Sequence, residues 1–104
     1  MKIAVTGATG QLGQRVIQHL LKRTAANNII ALVRNRDKAQ TLLTQGIEVR
    51  LFDYDQSETL TSALHGIDKL LLISANEIGR RTAQHRAVIE AAKQANIPYI
   101  AYTS

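Results

Sequence analysis

The octapeptide Thr6-Gly7-Ala8-Thr9-Gly10-Gln11-Leu12-Gly13 constrains this chain more than any other feature. It follows directly on a short β-rich run, residues 2–6. It opens a segment, residues 11–22, in which Leu12, Val16, Ile17, Leu20 and Leu21 recur on one helical face. Glycines so spaced between a strand and a helix have distinct uses. Gly7 permits the sharp turn out of the strand, Gly10 leaves room for a ligand against the backbone, and Gly13 lets the helix pack tightly on the sheet. The N–H groups around Gln11 and Leu12 then stand at the positive end of a helix dipole, where a pyrophosphate is held. Gly7, Thr9, Gly10, Gln11 and Leu12 are therefore candidate dinucleotide-binding residues. An ATP-type phosphate loop would end in Gly-Lys-Ser or Gly-Lys-Thr. This loop reads Gly10-Gln11-Leu12-Gly13 and places no lysine to meet a γ-phosphate.

The rest of the chain repeats the strand–helix alternation. Residues 29–33 form a wholly apolar run, as in a strand buried on both faces. A short helix is expected over residues 37–44, capped by Asn35 or Asp37 and closed by Gly46. Residues 47–52 give a third strand. Ser57 is expected to cap a helix running to Leu64, with Gly66 just past its end. Residues 69–74 give a fourth strand, and a long helix over residues 81–94 carries Val88, Ile89, Ala92 and Ala95 toward a core. Asn96-Ile97-Pro98 breaks that helix, and residues 99–103 read as a fifth strand. Five uninterrupted alternations argue for an α/β domain: a doubly wound parallel sheet of the Rossmann type with flanking helices. Right-handed crossovers and a switch after the first unit give five strands in the order 3-2-1-4-5. In such sheets the ligand lies at the carboxyl edge. Three positions besides the loop fall there.

At the end of the second strand the chain reads Val33-Arg34-Asn35-Arg36. A carboxylate at this place would accept from the ribose 2′-hydroxyl of NAD; a guanidinium instead suits the 2′-phosphate of NADPH in fork geometry. Arg34 comes first after the strand and is the main candidate, with Arg36 or Lys38 assisting. NADPH is the cofactor expected. Asp53, ending the third strand, can accept from the adenine amino group. Ser74 and Ala75, ending the fourth, are small enough for the dinucleotide backbone to pass over them.

Composition narrows the remaining classes. With 104 residues the chain holds one domain and one core, and no apolar run approaches the ~20 residues that span a membrane. After Met1-Lys2 the apolar stretch is only Ile3-Ala4-Val5 before a glycine turn, so no secretory signal is expected. Cysteine is absent, which removes disulfides, thiolate nucleophiles and cysteine-held metals, and a cytoplasmic location is expected. The formal charge is +5, but the basic residues are spread over several segments. The four aromatics, Phe52, Tyr54, Tyr99 and Tyr102, are too few for a base-stacking platform, so no nucleic-acid partner is expected. His19, His65 and His85 lack metal-ligand spacing, so no metal site is expected either. The fifth strand ends at Ser104, where a site is expected and no helix follows. Residues 1–104, one NAD(P)-binding domain, are therefore expected to belong to a longer chain and to be inactive alone. Assembly into a homo-oligomer stays open.

The glycine loop with Val33-Arg34-Asn35 resembles the NmrA-like group of atypical short-chain dehydrogenase/reductases. The likeness runs the length of the chain, through Lys38-Ala39, Gly46-Ile47, Asp53-Tyr54, Leu70-Leu71-Leu72-Ile73-Ser74, Gln84-His85-Arg86 and Ala101-Tyr102-Thr103-Ser104. Among its members the bacterial NAD(P)H:quinone reductases look most similar. That resemblance implies an NADPH-dependent oxidoreductase that reduces quinones by hydride transfer, with residues 1–104 as its N-terminal NAD(P)-binding domain and a smaller C-terminal part closing over the nicotinamide. The alternative it implies is a redox sensor that binds dinucleotide without turnover. Ser104 matches roughly the position where the wider superfamily has its active-site serine. Better-known short-chain dehydrogenases use a tyrosine with a lysine four residues on. Here Tyr54 is followed four on by Glu58 and Tyr99 by Thr103, and Tyr102 is too near residue 104 to test. Such a pair, if present at all, would lie beyond residue 104.

Overall fold

The strands of the sheet are short, and each of the first four is followed by a helix that packs on one face of it. The computed structural model describes residues 1–53, 56–73 and 81–102, with the backbone alone at Ser57, residues 81–85 and Tyr102. Strands β1 (Ile3–Thr6), β2 (Ile29–Val33), β3 (Glu48–Leu51), β4 (Lys69–Leu72) and β5 (Tyr99–Tyr102) make one parallel sheet in the order β3-β2-β1-β4-β5. Helices α1 (Gln11–Leu21), α2 (Gln40–Thr44), α3 (Ser57–Ala63) and α4 (Arg81–Gln94) connect them. This is the Rossmann-type order expected from the alternation.

Strand side chains alternate between faces, and the core divides accordingly. Val5, Ala31, Val33 and Val49 bury one face with Ile17 of α1 and Leu42 of α2. Ala4, Ile30, Leu32, Leu70 and Leu72 bury the other with Leu60 and Ala63 of α3 and Val88, Ala91 and Ala92 of α4. All five residues of β2 are buried, because the strand lies between β1 and β3 under helices on both sides. Ala91 joins the core as Val88 and Ala92 do, whereas Ile89 stays half-buried.

The helix ends show two closures of one kind. Gly46 (φ +85°) and Asn96 (φ +59°) take the left-handed conformation after α2 and α4. Their N–H groups donate to Leu43 and Lys93, and those of Ile47 and Ile97 to Leu42 and Ala92, satisfying the last carbonyls. Three expectations shift. The segment expected as one helix over residues 37–44 is a 3-10 turn, Arg36–Ala39, leading into α2. It begins tightly because Asn35 Oδ1 accepts from the Asp37 N–H at 2.9 Å while its carbonyl accepts from Lys38. The cap of α3 is Gln56, one residue before Ser57, since the turn closed by Gln56 N–H on the Asp53 carbonyl runs straight into the helix. Leu12 is 43% exposed, so the buried stripe of α1 starts at Gly13.

Candidate functional site

Register brings the expected residues to one edge. Thr6 pairs with Leu32 and Val33 with Leu51. Gly7 therefore leaves the sheet beside Val33, Arg34 follows on the next strand, and Asp53 lies two residues past Leu51. Neighbouring strands are about 4.8 Å apart, so the glycine loop, Arg34 and Asp53 form one rim at the carboxyl ends of β1, β2 and β3. Ser74, Ala75 and Ser104 lie outside the described residues.

The three glycines of the loop are glycines for different reasons. Gly7 has φ +59°, the left-handed turn that carries the chain out of β1. At Gly13 a Cβ would stand 2.1 Å from the Gly7 carbonyl oxygen and 2.8 Å from its carbon, so α1 lies directly on the loop backbone. Gly10 is unlike both. It caps α1 with φ −75° and ψ 169°, open to any residue, and the nearest described atom to its Cβ would be the Gly7 oxygen at 3.4 Å, an ordinary contact. Nothing among the described residues requires glycine there. A ligand lying against the loop would.

Donors are available beside it. Gln14 is the first α1 residue whose N–H closes back on the chain, onto the Gly10 carbonyl at 2.9 Å. The N–H groups of Gln11, Leu12 and Gly13 meet no acceptor among the described residues and stand at the positive end of the helix dipole, an arrangement that suits an anion. Among the described residues the first turn of α1 contains no acid.

Thr6 anchors this edge, a role its sequence did not disclose. It is fully buried; its hydroxyl accepts from the Ile73 N–H at 2.8 Å and donates to the Ile73 carbonyl at 3.2 Å. The bond pair extends the β1–β4 contact beyond the last ladder pair, Val5–Leu71. The signal was present: a threonine buried between aliphatic residues and a glycine turn needs a partner for its hydroxyl. Thr59 does similar service for Asp53. Its hydroxyl accepts from the Asp53 N–H at 2.9 Å and donates to the Gln56 carbonyl at 2.7 Å, holding the half-buried Asp53 in the turn before α3.

Arg34, Arg36 and Lys38 are exposed in succession after β2. A groove of about 610 Å³ runs from Thr9 and Gln11 between α1 and α2, with Lys38 on one wall and Arg15 and Lys22 on the other. No acid lines it. The groove flanks the rim rather than containing it, since Gly10, Arg34 and Asp53 are not among its walls. Among the described residues no group of three histidines or acids could hold a metal. His19 accepts from Arg23 Nε at 3.1 Å at the end of α1, and no described helix is long and apolar enough to cross a membrane.

A parallel sheet in this order, a glycine loop onto a helix N-terminus and basic residues after β2 define a dinucleotide-binding α/β domain. Within that class the chain belongs to the NAD(P)H-binding family, whose sequence pattern matches residues 7–104. It is 59% identical to quinone oxidoreductase 2 of Escherichia coli over 98% of this chain and 36% of that protein. The crystal structure of that NADPH-dependent enzyme complexed with NADPH matches with a TM-score of 0.95. Triphenylmethane reductase of Citrobacter sp., complexed with NADP(H), matches with a TM-score of 0.95 at 53% identity, over 99% of this chain and 37% of that one. The NmrA-like family domain-containing oxidoreductase flvB of Aspergillus flavus is 32% identical, over 100% of this chain and 35% of its own length. The chain thus spans about a third of the length of the relatives it matches.

Proposed function

We propose that this chain is the NADPH-binding part of a quinone reductase, and that residues 1–104 are the N-terminal domain of a longer cytoplasmic polypeptide. The observation that carries the cofactor reading is Gly10, a glycine that the described part of its own chain does not need, beside three unmatched helix N–H groups. Gly7 and Gly10 leave the loop open to a pyrophosphate, with Thr9 beside it, and the N–H groups of Gln11 and Leu12 receive its charge. Arg34 meets the 2′-phosphate, assisted by Arg36 or Lys38, and Asp53 accepts from the adenine amino group. The basic side chains after β2 and the acid-free groove support a cofactor with the extra phosphate. The chemistry supplied at this edge is transfer of a hydride to a quinone carbonyl oxygen, which with one proton on the second oxygen gives the hydroquinone. This chain's residues hold and orient the donor. Identity to the E. coli quinone oxidoreductase over nearly the whole chain supports quinones as the acceptor class.

The test is loss of nicotinamide absorbance when a quinone is added to the polypeptide containing these residues, with NADPH and NADH compared. Quinone-dependent oxidation, faster with NADPH, is expected. Firm NADPH binding with no turnover on any quinone would overturn the reductase reading in favour of a redox sensor.

A further inference from the structure

Gln14 stands in the second turn of α1, exposed and outside both core clusters, yet its side chain is engaged. Its Nε2 donates to the Thr9 carbonyl at 2.8 Å. At the other end of the same peptide unit the Gly10 N–H donates to the Gly7 carbonyl at 3.0 Å. Both polar groups of the Thr9–Gly10 peptide are thus satisfied inside the chain, which fixes the plane of that peptide at the turn between loop and helix. The consequence is electrostatic. A free carbonyl oxygen at a helix N-terminus, next to the bare N–H groups of Gln11, Leu12 and Gly13, would oppose the binding of an anion there. A glycine on one side of the peptide leaves its rotation otherwise cheap.

We propose that Gln14 is a positioning residue for the pyrophosphate of the bound dinucleotide: it holds the Thr9 carbonyl so that the anion meets only N–H donors. This rests on the dinucleotide reading of the loop. Gln14 itself touches no ligand in this account.

Gln14→Met keeps length, flexibility and helix preference and deletes the donor. Titrations of the wild-type protein and this variant with NADPH, NADH and adenosine 2′-phosphate test the proposal. Both dinucleotides carry the pyrophosphate and are expected to bind about three- to tenfold more weakly, the span of one neutral hydrogen bond. Adenosine 2′-phosphate lacks the pyrophosphate, and its affinity is expected to be unchanged. Gln14→Glu, which presents no donor and adds a negative charge, is expected to lose more than Gln14→Met on both dinucleotides. Unchanged dinucleotide affinity in Gln14→Met overturns the proposal. So does an equal loss for adenosine 2′-phosphate, which would report a general loosening of the loop. Wild-type protein that binds no dinucleotide overturns the underlying reading and this proposal with it, whereas wild-type binding with an indifferent Gln14→Met overturns the proposal alone.

Discussion

Gly10 and Gly13 are three residues apart in one motif and answer to different demands. Gly13 is fixed by the fold: a methyl group there would stand 2.1 Å from the Gly7 carbonyl oxygen, a backbone atom that moves only if α1 or the turn moves. Gly13→Ala is therefore expected to destabilise the protein by about 3 kcal/mol or more, at the upper end of overpacking effects. A urea titration checks it; a loss within the range of ordinary surface substitutions would mean that α1 can lift off the loop at little cost. Gly10→Val should leave the urea midpoint nearly unchanged, with a cost of about 1 kcal/mol or less for a poorer helix cap. It should abolish NADPH binding by filling the space against the loop. A folded Gly10→Val that still binds would place the pyrophosphate elsewhere. The sequence assigned each glycine its use, but it could not show that Gly13 meets the loop backbone at Gly7, because that depends on how closely α1 lies on the loop.

At the scale of the element, the long and strongly patterned pieces were legible and the short ones less so. The apolar run of β2 and the span of α4 were readable because each has a clear period or a clear stop, Asn96 with Pro98 in the second case. The segment after β2 was harder: Asn35 was legible as a candidate cap, but not that the chain runs through a 3-10 turn before five α-helical residues. Leu12 fitted the apolar face of α1 by spacing, but it is left 43% exposed, which spacing alone does not reveal. Thr6 between aliphatic residues and a glycine turn signalled a hydroxyl in need of a partner, but not that the partner is Ile73, 67 positions on. That bond pair gives a prediction for the whole edge. Thr6→Val keeps the shape and leaves the N–H of Ile73 without its partner, so a loss of about 1–3 kcal/mol in urea denaturation is expected. A stability equal to wild type would mean that β1 and β4 are held together without the hydroxyl.

For the molecule as a whole, the order of strands followed from handedness and alternation, and it places every candidate residue that is described on one rim. The sheet's connectivity thus carries the site: the loop, Arg34 and Asp53 meet because β1, β2 and β3 are adjacent, parallel and in register. What connectivity leaves to chemistry is which nicotinamide cofactor that rim selects, and the central claim is that Arg34 selects NADPH. Affinities of NADPH and NADH for wild type and Arg34→Ala, measured side by side at low and constant ionic strength because salt screens an exposed pair, address it directly. A charge-assisted hydrogen bond contributes about 1.5–3 kcal/mol, so NADPH should bind roughly ten- to a hundredfold more weakly to Arg34→Ala while NADH, without the 2′-phosphate, loses far less. If Arg36 shares the phosphate, the double variant exceeds either single one. Equal losses for the two cofactors would contradict the account, leaving its NADPH preference with no residue behind it.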